Sequence, residues 1–267
     1  MANFFEDNDD LLFQFKQLDL DTIIKFREDN FSDAKKYKYA PKDLEDAKDS
    51  YERILKIVGE IAGDVIEPNS AETDEVGARL ENGEVIYALG TKLGLDAMRK
   101  ADMMGFTIPR EYGGINSPMT LYCMAIEMVS RSDAAFMNIF GLQSDIADTI
   151  YKYADEDLKN KYIPMLCNEP ITASMALTEP DAGSDLQAVM LKAYQDESGQ
   201  WFLNGVKRFI TNGNGEISLV LARSEEGTED GRGLSMFLYE RDDKMKIRRI
   251  ENKLGIHGSP TCEMQFN

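Results

Sequence analysis

The sequence predicts an α+β fold: an N-terminal all-α helical domain followed by an antiparallel, β-barrel-like domain. Two observations lead there. Up to Pro170 the apolar residues recur at intervals of three and four, the period of an amphipathic helix. After Pro170 the chain shifts to short extended runs broken by turn residues, with Asn204-Gly205, a strong hairpin signal, between two of them.

In the first forty residues Leu11, Leu12, Phe15, Leu18, Leu20, Ile23 and Ile24 fall partly at helical spacing, and Asp19-Leu20-Asp21 breaks the stripe, so one or two short helices are expected. From Pro41 the pattern sharpens. Leu44, Ala47, Tyr51, Ile54, Leu55, Val58 and Ile61 form one apolar helical face ending near Ile66. Residues 68–82 are polar and read as a loop with Asn82-Gly83 as a turn, and 85–101 read as a second helix. Ser117-Pro118 starts a third helix, Ser132-Asp133 caps a fourth over 134–153, and 155–162 make a short fifth. The expected strands are 171–177, 188–195, 200–203, 206–210, 217–222, 234–239, 245–250 and 261–266. This gives three divisions: an extension over 1–40, a helical domain over 41–170 and a middle β domain over 171–267.

Composition narrows the function. A chain of 267 residues with 43% apolar content can bury a sizeable core, and its net charge of −18 argues against sequence-independent binding of nucleic acid or anionic membrane. No apolar run approaches the ~20 residues that span a bilayer, and the acidic Met1–Asp10 stretch is unlike a signal peptide, so the cytoplasm is the expected location. Cys123, Cys167 and Cys262 are widely spaced and read as free thiols, without the C-x-x-C pairing of a metal site. The single histidine, His257, sits between glycines and reads as a solvent-exposed turn residue; no metal site is expected.

The stretch Ser174–Asp185, S-M-A-L-T-E-P-D-A-G-S-D, holds the most distinctive chemistry. Pro180 halts the preceding strand, and Asp181 and Gly183 suit a tight turn with the hydroxyls of Thr178 and Ser184 on either side. By spacing alone this is most simply a strand-ending turn capped by its own Ser and Asp; the alternative is a loop that receives a phosphate or a polar ring edge. Thr211 repeats the arrangement of a hydroxyl at a strand end before a turn. The Asn212-Gly213-Asn214-Gly215 run lacks the third glycine of a dinucleotide fingerprint and reads as a turn. Lys207-Arg208 and Arg248-Arg249 are read as exposed strand positions, and of the 14 methionines Met103, Met104, Met119, Met124 and Met128 in the helical half are read as helix core rather than as the wall of an acyl-chain tunnel.

T-E-P-D-A-G-S-D, L-N-G-V-K-R-F-I-T-N at 203–212 and K-L-G-I-H-G-S at 253–259 together resemble the acyl-CoA dehydrogenase family of flavoenzymes; F-T-I-P-R-E-Y-G-G at 106–114 and the segment 151–170 extend the likeness upstream. The resemblance implies FAD as cofactor and a fatty acyl-CoA thioester as substrate, oxidised between its α and β carbons. Carried over by position, it implies that Met175, Leu177 and Thr178 contact the isoalloxazine and that Phe209, Ile210 and Thr211 flank the ring, with Thr211 near N5. Gly183 and Ser184 would contact FAD phosphate, and Ser184 also the substrate's pantetheine. Phe209 stands where the family usually has Trp, which weakens stacking. The catalytic glutamate of the family commonly lies in a C-terminal helical domain beyond Asn267, so no catalytic residue is assigned here and the segment alone is expected to be inactive. Glu179 and Asp185 are read as ordering backbone N–H groups rather than as bases. An electron-transfer flavoprotein or similar acceptor and homo-oligomerisation of the full-length enzyme complete the implied picture. An acyl-CoA oxidase or flavin monooxygenase of the same fold, or a non-catalytic flavin- or acyl-CoA-binding module, are the alternatives.

Overall fold

The structure is a computed structural model that describes residues 2–267. Its contacts divide the described residues into a helical unit, residues 2–73 with 89–170, and a β unit, residues 74–88 with 171–267.

The helical unit contains α1 (Asp9–Gln17), α2 (Leu20–Arg27), α3 (Leu44–Ile61), most of α4 (Glu67–Val76), α5 (Leu89–Lys100), α6 (Met119–Ser132), α7 (Ala134–Tyr153) and α8 (Glu156–Asn168). The apolar face read from the sequence carries α3, whose Ala47, Tyr51, Leu55 and Val58 are buried and whose first turn is capped by Asp43. Residues 68–82, expected to be a loop, open instead in helix. A π-turn over Ala62–Ile66 joins α3 to α4. Its i→i+5 bonding reduces the demand for N–H donors just where Pro68 has none, and Asn69 Nδ2 donates to the Val65 carbonyl at 2.7 Å. α8 also runs past its expected end at 162, through Pro164 to Asn168. Its Asn168 Nδ2 donates to the Pro164 carbonyl at 2.9 Å.

Residues 2–40, read as an N-terminal extension, pack within this unit. Phe4 and Phe5 are buried, and the Phe4 N–H donates to the Gly59 carbonyl at 3.0 Å. A Cβ on Gly59 would lie 2.3 Å from Asn3 Oδ1 and 2.7 Å from the Phe5 nitrogen, so the close approach requires glycine. Arg110 and Glu28, both buried, pair through bonds of 2.6 and 2.9 Å, and the Tyr51 hydroxyl also donates to Glu28. This charge pair binds the 3-10 turn at Arg110–Tyr112 to α2 and α3.

The β unit begins with a hairpin, β1 (Arg79–Glu81) and β2 (Glu84–Ile86), turned at Asn82-Gly83. Val85 and Ile86 were expected to open a helix. They pair as strand because Leu80 and Val85 pack on the β core, and α5 starts only at Leu89. The main sheet comprises β3 (Ala173–Ala176), β4 (Lys192–Gln195), β5 (Trp201–Thr211), β6 (Ile217–Arg223), β7 (Leu234–Glu240), β8 (Lys246–Ile250) and β9 (Thr261–Phe266). Its order is β3-β6-β4-β5-β9-β8, with β7 on the remaining edge of β6. The sheet is mixed rather than wholly antiparallel: β3 runs parallel to β6 from Ala173↔Ile217 to Ala176↔Val220, and β4 meets β6 in parallel at Lys192↔Arg223.

Asn204-Gly205 is not a hairpin. β5 runs straight through it and changes partner there, pairing with β4 up to Asn204 and with β9 from Gly205 onward. Gly205 has φ +142°, and a Cβ would stand 3.1 Å from Leu191 Cα, so this glycine permits a strand switch rather than a chain reversal. Gly205→Val is expected to destabilise the β unit by about 1–3 kcal/mol in chemical denaturation, from left-side backbone strain and the clash with Leu191.

Candidate functional site

The residues from Ala173 to Thr178 lie against β5, held at three points. Asn212 Nδ2 donates to the Ala173 carbonyl at 2.9 Å, Lys207 Nζ to the Leu177 carbonyl at 2.7 Å, and the Arg208 N–H to the Thr178 carbonyl at 2.9 Å. These ties bracket Met175–Leu177 on one segment and Phe209–Thr211 on the other, and so bring together the two motifs that the sequence could only place separately.

Alternation then sorts the side chains. Ala176 and Ile210 enter the β core with Val220, Cys262 and Met264, whereas their neighbours Met175, Leu177 and Thr211 are half-buried on the outer side; Thr178, past the end of β3, is also half-buried. Ile210 therefore offers only backbone to anything bound on that outer side. Between Lys207 and Ile210 the register with β9 shifts by one residue. This bulge turns Phe209 outward with φ +63° and 50% exposure. The Arg208 guanidinium lies 4.7 Å from its ring centroid. Among the described residues the hydroxyls of Thr178 and Thr211 have no protein hydrogen-bond partner, so each is free to bond a ligand.

The turn after Thr178 closes on itself: the Glu179 N–H donates to the Ala182 carbonyl at 2.8 Å, and the Ala182 N–H returns the bond at 3.2 Å. Gly183 and Ser184 are exposed at its tip. A Cβ on Gly183 would meet only Thr178 Cγ2, at 3.7 Å. The Glu179 carboxylate, buried beneath the turn, accepts from the backbone N–H groups of Met190 at 2.8 Å and Leu191 at 2.9 Å. Asp185 accepts from the Gln187 N–H at 3.1 Å. Both acids order backbone, as the sequence suggested.

Lys207 departs from expectation. Read as an exposed basic position, it is completely buried, and Nζ donates to Glu179 Oε1 at 2.8 Å. Burial lowers its pKa, while the hydrogen bond and charge of Glu179 act to raise it. Counting by two from core-facing Leu203 would have placed Lys207 inward; reading Lys207-Arg208 as a pair obscured that period. Tyr87, also missed, donates its hydroxyl to Asn212 and accepts from Asn214 Nδ2 at 2.9 Å. Burial pushes its pKa up to about 12. No sequence signal linked Tyr87 to residues more than a hundred positions away.

His257 is half-buried rather than a free surface turn. Its Nε2 faces the Lys253 carbonyl at 2.7 Å, and its Nδ1 faces the Asp74 carbonyl at 3.1 Å and Asp74 Oδ2 at 3.2 Å. With acceptors at both nitrogens, the protonated ring fits best. The Lys253 carbonyl first, and then the Asp74 charge, raise the pKa of His257 above its ordinary 6.5. A raised folded-state pKa stabilises the fold fully below the unfolded value and loses that contribution as pH rises through the folded one. NMR titration of this single histidine should give a midpoint above 6.5, and Asp74→Asn should move it down.

The helical unit, the mixed sheet and the paired motifs together define the fold of a family of oxidoreductases, and two family models match it. Acyl-CoA dehydrogenase, N-terminal domain, matches residues 48–170, and Acyl-CoA dehydrogenase, middle domain, matches residues 174–267. The chain belongs to the acyl-CoA dehydrogenase family. It is 31% identical over 245 residues to 3-methylmercaptopropionyl-CoA dehydrogenase of Ruegeria pomeroyi, covering 86% of this chain and 41% of that protein. The butyryl-CoA dehydrogenase structure from Megasphaera elsdenii superposes with TM-score 0.73 at 26% identity, over 81% of this chain and 55% of that one. An acyl-CoA dehydrogenase from Bacillus anthracis complexed with FAD gives TM-score 0.70 over 82% and 35% of the two chains; at 24% identity that likeness concerns the fold. The chain thus spans about half the length, or less, of these relatives. Among the described residues no helix is long and apolar enough to cross a membrane.

Proposed function

We propose that this chain supplies the flavin- and thioester-binding face of an FAD-dependent acyl-CoA dehydrogenase that oxidises an acyl-CoA between its α and β carbons. The observation that carries the reading is the lacing of residues 173–178 to β5, which brings half-buried Met175, Leu177, Thr178 and Thr211 and exposed Phe209 onto adjoining segments, with the Thr178 and Thr211 hydroxyls unpartnered. A flat ring system with an apolar body and a polar edge is what such a donor set fits.

In this reading Met175, Leu177 and Thr178 line the ring, and Phe209 and Thr211 flank it together with the Ile210 backbone. Gly183 and Ser184, exposed at the turn, meet the FAD phosphate, and Ser184 also the pantetheine. When bound, FAD supplies the acceptor for the β-hydride. The chain's residues orient the reactants: threonine hydroxyls donate to the ring edge, and the apolar side chains exclude water from it. Abstraction of the α-proton needs a carboxylate in a dry pocket, with donors on the thioester carbonyl. Glu179 already serves two backbone N–H groups and Lys207, and Asp185 serves Gln187, so neither is assigned that role. By family resemblance the base belongs to the C-terminal helical domain. A cytoplasmic homo-oligomer passing electrons to an electron-transfer flavoprotein or similar acceptor completes the proposal.

The test is the visible spectrum of the purified chain after addition of FAD and removal of the excess. A retained flavin band is expected, and Thr178→Val and Thr211→Val should each weaken binding about three- to tenfold, the scale of one hydrogen bond. Absence of the band from wild-type protein would count against the reading for this chain. Bleaching by an acyl-CoA under anaerobic conditions would show that the chain also reaches a base.

A further inference from the structure

Lys207 is where a charge has been buried that packing alone does not require. Its side chain has no exposure. A buried ion pair is weak evidence for stability, because desolvation offsets the attraction and an apolar side chain of the same volume does as well or better. What the pair does have is geometric consequence. Lys207 Nζ holds the Leu177 carbonyl at 2.7 Å and the Glu179 carboxylate at 2.8 Å, while the next residue, Arg208, holds the Thr178 carbonyl through its N–H at 2.9 Å. Three successive residues are thus fixed by two.

The same Glu179 carboxylate accepts from the Met190 N–H at Oε2, 2.8 Å, and from the Leu191 N–H at Oε1, 2.9 Å. The loop from Thr178 to Leu191 is thereby closed at its base by one carboxylate. Gly183 and Ser184 ride on that loop, and Thr178 is its first residue. The residues proposed to meet the ring and those proposed to meet the phosphate therefore share one buried anchor. The anchor also has an electrostatic role: a bare Glu179 carboxylate beneath the turn would repel an anion arriving above it, and the Lys207 ammonium neutralises it.

We propose that Lys207 is a positioning residue, which, through its bonds to Leu177 and Glu179, sets the placement of the 178–191 loop against Phe209–Thr211 and so the geometry of the cofactor face. The inference rests on the flavin reading above, but its structural half can be tested without flavin. Lys207→Met, Glu179→Gln and the double variant are compared with wild type by amide hydrogen exchange of the apo chain, thermal unfolding and FAD titration. Each single variant should lose protection at the Met190, Leu191 and Arg208 amides while the β6 amides, such as Val220, stay protected, and should bind FAD more than tenfold more weakly. The double variant removes the unpaired buried charge, so it should regain thermal stability yet remain more than tenfold weaker for FAD. A purely structural pair predicts instead that the double variant recovers affinity along with stability, and that result would overturn the proposal. If wild-type chain holds no FAD, the flavin reading fails on its own; the exchange experiment then decides the positioning, and unchanged protection at Met190, Leu191 and Arg208 in the double variant overturns it.

Discussion

A buried ammonium must be surrounded by oxygens, and the demands of Lys207 shape the part of this chain that carries its distinctive residues. Fully buried, Nζ takes the Leu177 carbonyl and the Glu179 carboxylate. The remaining Glu179 lone pairs take the Met190 and Leu191 N–H groups. One charge thus dictates where a strand ends, where a loop begins and where it returns. The bulge at Phe209 follows two residues later, so the same short length of β5 both grips the neighbouring segment and turns a ring outward.

A similar solution holds the helical unit. Glu28 and Arg110 are both buried and pair through two hydrogen bonds, with Tyr51 adding a donor to Glu28. Around them, glycines mark the places where backbone comes too close for a side chain. A Cβ on Gly114 would lie 2.1 Å from the Ile108 carbonyl oxygen, and one on Gly63 would lie 2.6 Å from the Ala2 carbonyl oxygen. In an acidic chain of net charge −18, these interior pairs are locally neutral, which leaves the surplus acids at the surface where water screens them.

Periodicity made much of the architecture legible. The α3 face from Ala47 to Val58, the Asp133 cap and the span of α7, and strands β6 to β9 follow from residue spacing because each element buries one face within its own segment. The misreadings have a common origin. Asn204-Gly205 has the local chemistry of a hairpin, but whether the chain reverses there depends on β4 and β9, which lie far off in sequence. Val85 looked helical until Leu80 and the β core gave it strand partners. Pro68 looked like a breaker, and a π-turn before it removed the conflict.

The sequence by itself determined the fold class, the family and the motif residues, including that Glu179 and Asp185 serve backbone groups, because these depend on local pattern and on residue types at fixed spacing. Only the tertiary structure decided that the sheet is mixed, that Ile210 faces the core while Phe209 faces out, that Lys207 is buried and that Tyr87 reaches Asn212. Those outcomes turn on which distant strands become neighbours. A one-residue bulge or a change of partner reverses the face of every side chain that follows, and no local spacing records it.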